Sequence, residues 1–393
     1  MKKRLTSLVL VLVFAFAGKS AFAKSFEVGG GTLDAYASIR AFALYNNVDG
    51  GDVVGRDHSQ FSIGMQSHSR VGAKWTQGDF HFNFEMGMGG AALPPPVTLR
   101  LLYGDYKFAG GNSGRIRVGQ IPNISSTGSF YDRKLNGDDA LLGFGTITEA
   151  IRRAGINYEI GDFSVSAISM RQDSSSFTAL YNGYGNVEFT EIMPRIEAAY
   201  SVAGVFRAAG SFVQTSVKAD NYATEQPRLN QRYNINAFHL ALAAAPKIGD
   251  NMRIIASGFY SMNGGLYGMV TTAGGYDSIS GVSFNRALPQ LKEGTDKAEM
   301  ENTTIVGGAL AFRIDAFEAG LGYQSASNDA WKDNINGIGV YANYRVRLSS
   351  NFMIIPEFGY SNCGDRGSAP KSVESLPKDT RGVQAGVQFR IDI

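Results

Sequence analysis

The sequence alternates apolar and polar residues, one for one, over many consecutive segments. One such run is FHFNFEMGM at 80–88, and others lie at 317–324, 335–347 and 352–361. Successive side chains of an extended strand point to opposite faces, so this period of two predicts strands with one apolar and one polar face. Beyond the first 23 residues, no segment approaches the roughly eighteen consecutive apolar residues that indicate a membrane-spanning helix. The chain is therefore predicted to be all-β.

The connections between the alternating segments are short and long in turn. Short polar turns such as 77–79 and 161–162 join one pair of segments, and long loops rich in Gly, Asn, Asp and Ser join the next. Sixteen strands are predicted between these connections. Their approximate limits are 32–45, 59–76, 79–88, 97–108, 115–121, 150–160, 163–171, 190–200, 205–216, 232–245, 252–262, 301–313, 317–324, 335–347, 352–361 and 381–393.

A soluble β-sandwich or propeller and a transmembrane barrel are both compatible with such strands. Strands of soluble sheets average about five to six residues, whereas a tilted strand needs about 9–11 residues to cross a bilayer. Many of the predicted strands reach that length, and the alternation of short turns with long loops is typical of outer-membrane barrels. Only 18% of the residues are charged, against about a quarter in soluble domains. We therefore predict a transmembrane antiparallel β-barrel of about 16 strands.

The first 23 residues differ from the rest of the chain. Basic residues at 2–4 precede an apolar run over 8–17, and Ala21 and Ala23 form a small-x-small cleavage site. The apolar run is about half the length of a membrane span, which argues against an anchor helix. We expect a cleaved secretory signal peptide followed by a single barrel domain over 24–393. Its removal would lower the formal charge from +2 to −2.

The polar face of the predicted strands carries many charges. If the apolar face contacts lipid, the polar face lines the interior. A dry interior could not hold so many charges, because each buried ion costs several kcal/mol, and a barrel of about sixteen strands leaves an aqueous channel. A water-filled lumen is therefore predicted. The charged residues assigned to it are Arg40, Arg70, Lys74, Arg100, Arg115, Arg117, Arg153, Arg195, Arg207, Arg253, Arg313, Arg345, Arg347, Arg390, Asp34, Glu85, Glu159, Glu197, Glu318 and Glu357.

The first predicted strand has an unusual outward face. It points mostly small residues outward, namely Leu33, Ala35, Ala37, Ile39 and Ala41. Lipid contact usually recruits larger apolar residues, whereas close contact between proteins in a membrane favours small ones. We expect this strand to lie in a subunit interface, and the alternative is an alanine-rich strand that faces lipid.

Several classes of function find no support in the residues. The single Cys363 excludes a disulfide framework and a Cys-based zinc site, and no other metal-ligand spacing occurs. The four histidines do not stand in a signature with a serine nucleophile. The small net charge argues against a nucleic-acid partner. We expect no enzyme activity, no catalytic residues, no metal and no cofactor.

Several segments together resemble the trimeric general porins of Gram-negative outer membranes. These are the signal peptide, the segment SRVGAK at 69–74, the long insertion after the fifth strand and the C-terminal strand VQAGVQFRIDI at 383–393. The chain ends on Ile393 where that family usually ends on Phe, and it lacks the family's Pro-Glu-Phe-x-Gly-Asp type of sequence in the constriction loop.

The resemblance implies that the third long loop, here 121–149, folds into the lumen and narrows it. Acidic residues of that loop, Asp132, Asp138 and Asp139, would face a basic ladder on the opposite wall. The ladder would consist of Arg40, Arg70, Arg100 and Arg117, with Lys74 and Arg115 beside them. Such a field would orient polar solutes and reject apolar ones. The excess of basic residues predicts a mild preference for anions.

The resemblance also implies partners and a location. It implies an integral protein of the outer membrane that contacts its lipid, forms a homotrimer, passes small hydrophilic solutes and is inserted by the barrel-assembly machinery. Three functions stay open at this point. They are a diffusion porin, a channel selective for sugars, organic acids or anions, and a non-conducting structural or adhesive barrel.

Overall fold

The alternating segments form an antiparallel sheet that closes on itself. The structure is a computed structural model. It describes residues 24–49, 58–66, 68–88, 97–110, 114–131, 144–147, 152–169, 186–220, 232–267, 290–291, 300–329, 334–362 and 381–393. Neighbouring wall strands are also neighbours in the chain, and each pairs with the next in antiparallel orientation. The result is a closed barrel of 16 strands.

The wall strands are numbered in chain order. They are β1 (Gly31–Asp49), β2 (His58–Met65 and Arg70–Gln77), β3 (Phe80–Met88), β4 (Val97–Lys107), β5 (Arg115–Pro122), β6 (Arg152–Ile160), β7 (Phe163–Ile168), β8 (Asn186–Glu191 and Arg195–Val202), β9 (Phe206–Asp220), β10 (Arg232–Ala244 and Lys247–Ile248), β11 (Met252–Met262), β12 (Thr304–Ile314), β13 (Phe317–Ser327), β14 (Ile335–Tyr344 and Val346–Arg347), β15 (Phe352–Asn362) and β16 (Arg381–Asp392).

The two ends of the chain close the wall together. β16 pairs with β1 from Ser38 to Asp49, and a short N-terminal strand, Lys24–Val28, pairs with β1 from Gly31 to Ala35. The Ile393 amide and carbonyl both bond to Ala37, between those two stretches. The N-terminal strand and β16 therefore lie end to end along one edge of β1.

The predicted strand number and order are confirmed, and several boundaries differ. The N-terminal strand is absent from the prediction. β1 extends to Asp49 and β9 to Asp220, further than predicted. The second predicted strand ends at Met65 and resumes at Arg70, and just before Arg70 the Ser69 hydroxyl bridges the backbone N–H and carbonyl of Arg40. This side chain replaces ladder hydrogen bonds that the break removes.

The two faces of the wall have opposite chemistry. Large apolar side chains are exposed on the outside, as at Phe61, Leu240 and Leu310. Arg100, Glu197 and Gln388 are examples of the polar and charged residues that are buried on the other face. This inverts the usual arrangement of a water-soluble protein and is typical of an outer-membrane barrel, whose outer face contacts lipid. Among the described residues, no helix is long and apolar enough to cross a membrane.

Candidate functional site

Arg70 and Arg100 meet at one carboxylate on the polar face of β2–β4. The Arg100 Nε donates to Glu85 at 2.6 Å, and the Arg70 Nε lies 3.4 Å from the same carboxylate. The Tyr36 hydroxyl donates to Glu85 at 2.9 Å. Gly87 makes room for this group, because a Cβ there would lie 2.6 Å from the Arg100 Cδ. We call Tyr36, Arg70, Glu85 and Arg100 the Glu85 cluster.

Arg115 and Arg117 form a second group on β4–β6. The Arg117 Nε donates to Asp105 at 2.8 Å, and its guanidinium lies 4.7 Å from the centre of the Tyr103 ring. Arg115 lies 3.7 Å from Asp105 and also bonds to Glu159, which Arg117 approaches to 3.3 Å. Two cations and two carboxylates thus neutralise each other. We call Asp105, Arg115, Arg117 and Glu159 the Asp105 cluster.

The two remaining basic residues of the predicted ladder and its neighbours, Arg40 and Lys74, lie on the same side of the barrel. Arg40 is buried, and its Nε donates to the Ser38 hydroxyl at 3.1 Å. The Lys74 Nζ lies 5.5 Å from the centre of the Tyr36 ring. All six basic residues of the predicted ladder and its neighbours therefore lie on β1–β5, but four of them are held in clusters with acids of the wall itself.

A β-bulge explains why strand alternation did not identify Asp105. The pairing of β3 with β4 shifts between Glu85 and Met86, so that Arg100 becomes an extra residue in β4. Strict alternation from Arg100 would place Asp105 on the apolar face. The inserted residue reverses the alternation, so that Arg100 and Asp105 share the polar face.

The loop after β5 contacts the polar face of the opposite wall. Glu197 on β8 accepts hydrogen bonds from the Ile124 N–H at 2.9 Å and the Ser125 hydroxyl at 2.5 Å. The His239 Nε2 donates to the Ser125 carbonyl at 3.2 Å, and the Arg207 Nη1 donates to the Ser126 carbonyl at 3.1 Å. Side chains of β8–β10 therefore hold this segment.

The described end of the same loop, 144–147, packs beside the first segment. The Ile147 carbonyl accepts from the N–H groups of Thr127 and Gly128, at 3.0 and 2.9 Å. Phe144 is fully buried against Gly337 of β14, where a Cβ would lie only 2.0 Å from the ring. A glycine at this wall position is therefore needed to admit the phenyl ring.

Tyr131 extends this contact towards β11 and β12. Its hydroxyl donates to the Ala309 carbonyl at 3.1 Å and lies 2.8 Å from the Ser257 hydroxyl. Burial of the side chain, together with the negative charge of Glu318, raises the pKa of Tyr131 above its ordinary value. The hydroxyl thus remains protonated and able to donate.

Several predicted residues lie outside the described part of the chain. They are the cleavage-site residues Ala21 and Ala23 and the loop acids Asp132, Asp138 and Asp139. Within the described part, no group of three or more His, Cys, Asp or Glu side chains could hold a metal ion. The buried His239 bonds to a backbone carbonyl of the loop, which is an anchoring contact.

Solved structures with the same architecture span nearly the whole chain. Matches include OmpF of Salmonella typhi in complex with daunomycin (TM-score 0.54, 13% identity, 94% of this chain and 100% of that one) and the anion-selective porin of Comamonas acidovorans (0.53, 13%, 92% and 100%). OmpT of Vibrio cholerae matches with a TM-score of 0.52 and 14% identity over 94% of this chain and 100% of that one.

This chain has the porin fold. At such low identity the likeness concerns the fold, and the site must be argued from this chain's own residues. No family model matches the sequence, and no curated protein matches it. The closed wall and its exposed apolar outer face make the protein an integral β-barrel of the outer membrane.

Proposed function

We propose that the barrel is a water-filled channel for passive diffusion of small hydrophilic solutes and ions. The observation that carries this proposal is a closed wall of 16 strands with arginine–carboxylate clusters on its inner face. A barrel of this size is too wide for wall side chains to fill, and charges are stable on its inner face if water reaches them.

The loop over 121–149 is the proposed constriction. Its described segments contact the polar face of β8–β12 and β14 through Glu197, His239, Ala309 and Gly337. The basic residues of the predicted ladder lie on β1–β5, on the side of the barrel opposite these contacts. A loop held on one side and cations on the other would leave a narrowed path between them, with a transverse field that favours polar solutes.

A mild preference for anions is part of the proposal. In the Glu85 cluster, two arginines share one carboxylate. Arg40 and Lys74 add two further cations on the same side of the barrel. A positive excess on the wall raises the local concentration of anions.

Planar-bilayer recording of the purified protein tests the channel. We expect stable conductance steps in KCl. In a KCl gradient, the sign of the reversal potential should show that chloride permeates more readily than potassium. A barrel that inserts without conducting would reject the proposal and favour a structural or adhesive role. Saturable block by only one sugar, organic acid or anion, with no block by other solutes of the same charge, would favour a substrate-selective channel instead.

Export, assembly and self-association complete the proposal. Residues 1–23 act as the signal peptide, the barrel-assembly machinery inserts the chain, and three copies associate through the face around β1. On β1, Leu33, Ala35 and Ala37 are buried in the single chain, whereas Ile39 is 40% exposed. Beside it on β2, Phe61 and Ile63 are 64% and 76% exposed. Exposed apolar side chains of this kind suit contact with a second copy, because the contact would bury their apolar area.

A further inference from the structure

A second basic group lies away from the clusters on β1–β5. A cavity of about 360 Å³ opens between loop residues 129–131 and the wall, towards the end of the barrel that carries the short turns. Four arginines line it, and all four are half-buried. They are Arg207 of β9, Arg253 of β11, Arg313 of β12, and Arg345 in the one-residue break of β14.

Wall residues satisfy only part of this charge. Glu318, which is fully buried, pairs with Arg313. The Arg207 Nε donates to the Ser201 hydroxyl and its Nη1 to the Ser126 carbonyl, both at 3.1 Å. These partners are neutral, and among the described residues no acid pairs with Arg207; the two hydrogen bonds use two of its five N–H groups.

Arg253 is the cavity arginine with a basic residue on each side of it in the sheet. None of the acids in the described part of the chain lies within ion-pair distance of it. Its neighbours across the ladder are both cations, since it pairs in register with Arg313 on one side and Lys247 on the other. Like charges directly opposite each other destabilise a sheet, and partial burial of Arg253 and Arg313 strengthens the repulsion between these two because water screens them less. An anion in the cavity would relieve this repulsion.

We propose that this cavity binds a small anion with two or three negative charges on carboxylate or phosphate groups. Guanidinium groups bind planar carboxylate groups and tetrahedral phosphate groups through paired hydrogen bonds to their oxygens. The exposed Ser129 hydroxyl adds a further donor. The volume is near the lower end of the roughly 300–1,000 Å³ typical of small-molecule pockets. This inference rests on the proposed function, because it makes the cavity a binding site along the path that permeating anions take through the channel.

Citrate block of the chloride current tests the site. We expect citrate to block the wild-type channel saturably, whereas acetate, with its single charge, blocks weakly. The Arg253→Gln variant keeps a polar side chain of similar length and removes one charge. Loss of a hydrogen bond to a charged group should raise the half-blocking citrate concentration by at least about tenfold.

Lys107→Gln is the matched control. Lys107 is an exposed cation at the same end of the barrel, on β4, eight strands from β12. Its loss removes the same charge outside the cavity, and screening should keep its effect below about twofold. Equal effects of the two variants would overturn the proposal, because general electrostatics would then explain the block.

Calorimetric titration of citrate into the detergent-solubilised protein separates this proposal from the channel itself. Binding by the wild type that weakens in Arg253→Gln supports the cavity site, even if the barrel does not conduct. Conductance in KCl with neither citrate block nor citrate binding overturns the site while the channel proposal stands.

Discussion

At the scale of single residues, four basic side chains of β1–β5 are held by carboxylates of the same wall. Glu85 collects two arginines and a tyrosine hydroxyl, and Asp105 with Glu159 holds two more arginines. These ion pairs hold the long arginine side chains against the wall. The net field of the wall therefore depends on single carboxylates.

Glu85→Gln should increase the preference for chloride. The change removes one negative charge and leaves Arg70 and Arg100 without their shared carboxylate. One extra charge about 4 Å from an ion in water is worth up to about 1 kcal/mol, so the chloride-to-potassium permeability ratio should rise roughly two- to fivefold. Reversal potentials in a KCl gradient measure this ratio.

Glu27→Gln is the control for that experiment, because Glu27 is an exposed acid of the N-terminal strand that bonds to Thr32. It should change selectivity far less. An unchanged ratio in Glu85→Gln would contradict the placement of the Glu85 cluster on the ion path.

Gly87→Ala should disturb the Glu85 cluster through shape alone. The new methyl group would lie 2.6 Å from the Arg100 Cδ and 3.0 Å from its Cγ. The arginine must move or the strands must separate, which should cost about 1–3 kcal/mol of unfolding free energy. Denaturant titration in detergent measures the loss.

Gly104→Ala is the matched control in the neighbouring strand, since its nearest contact would be 3.9 Å away. The comparison cancels the general effect of replacing a strand glycine. Equal stability of the two variants would contradict the close packing between Gly87 and Arg100.

At the scale of elements, the strands could be predicted from the sequence and parts of the site could not. Alternation depends only on neighbours in the chain, so it predicts the number and order of the strands. The bulge at Arg100 depends on pairing between β3 and β4 and hides Asp105 from such a count. The fit of Phe144 against Gly337 joins segments far apart in the chain, and no local pattern indicates it.

Gly337→Ala should loosen the loop that packs on β14. The added methyl group would lie 2.0 Å from the Phe144 ring, so the ring must leave its site. If 144–147 then moves relative to the wall, open-channel current noise should rise. Single-channel recording compares it with the wild type and with Gly258→Ala, whose nearest contact would be 3.7 Å away.

A double variant separates this contact from general damage. Phe144→Ala leaves room for the Gly337→Ala methyl group, so adding Gly337→Ala to Phe144→Ala should cause little further change. Additive effects of the two substitutions would contradict direct contact between the ring and β14.

At the scale of the whole molecule, the outer face has two apolar regions that can be compared. Phe61 and Ile63 on β2 adjoin β1, and Leu240 and Leu242 on β10 lie on the other side of the barrel with exposures of 61% and 57%. Both pairs suit lipid, but only the first belongs to the proposed subunit interface.

Phe61→Ala with Ile63→Ala should therefore reduce the trimeric fraction in detergent, because apolar area at the contact is lost. Leu240→Ala with Leu242→Ala should leave it unchanged. Analytical ultracentrifugation measures the masses. A monomeric wild type, or equal dissociation of both double variants, would contradict an interface at β1.

The end-to-end arrangement of the N-terminal strand and β16 has a consequence for how the barrel forms. The Ser38 hydroxyl donates to Asp392 across 354 residues of sequence, and the backbone of Ile393 bonds to Ala37. Contacts between such distant parts of a chain form slowly, because a large loop must close before they can be made. The junction between β1 and β16 is thus completed only when the last residues of the chain are in place. Until then both edges of the growing sheet expose unpaired backbone groups, which lipid cannot satisfy.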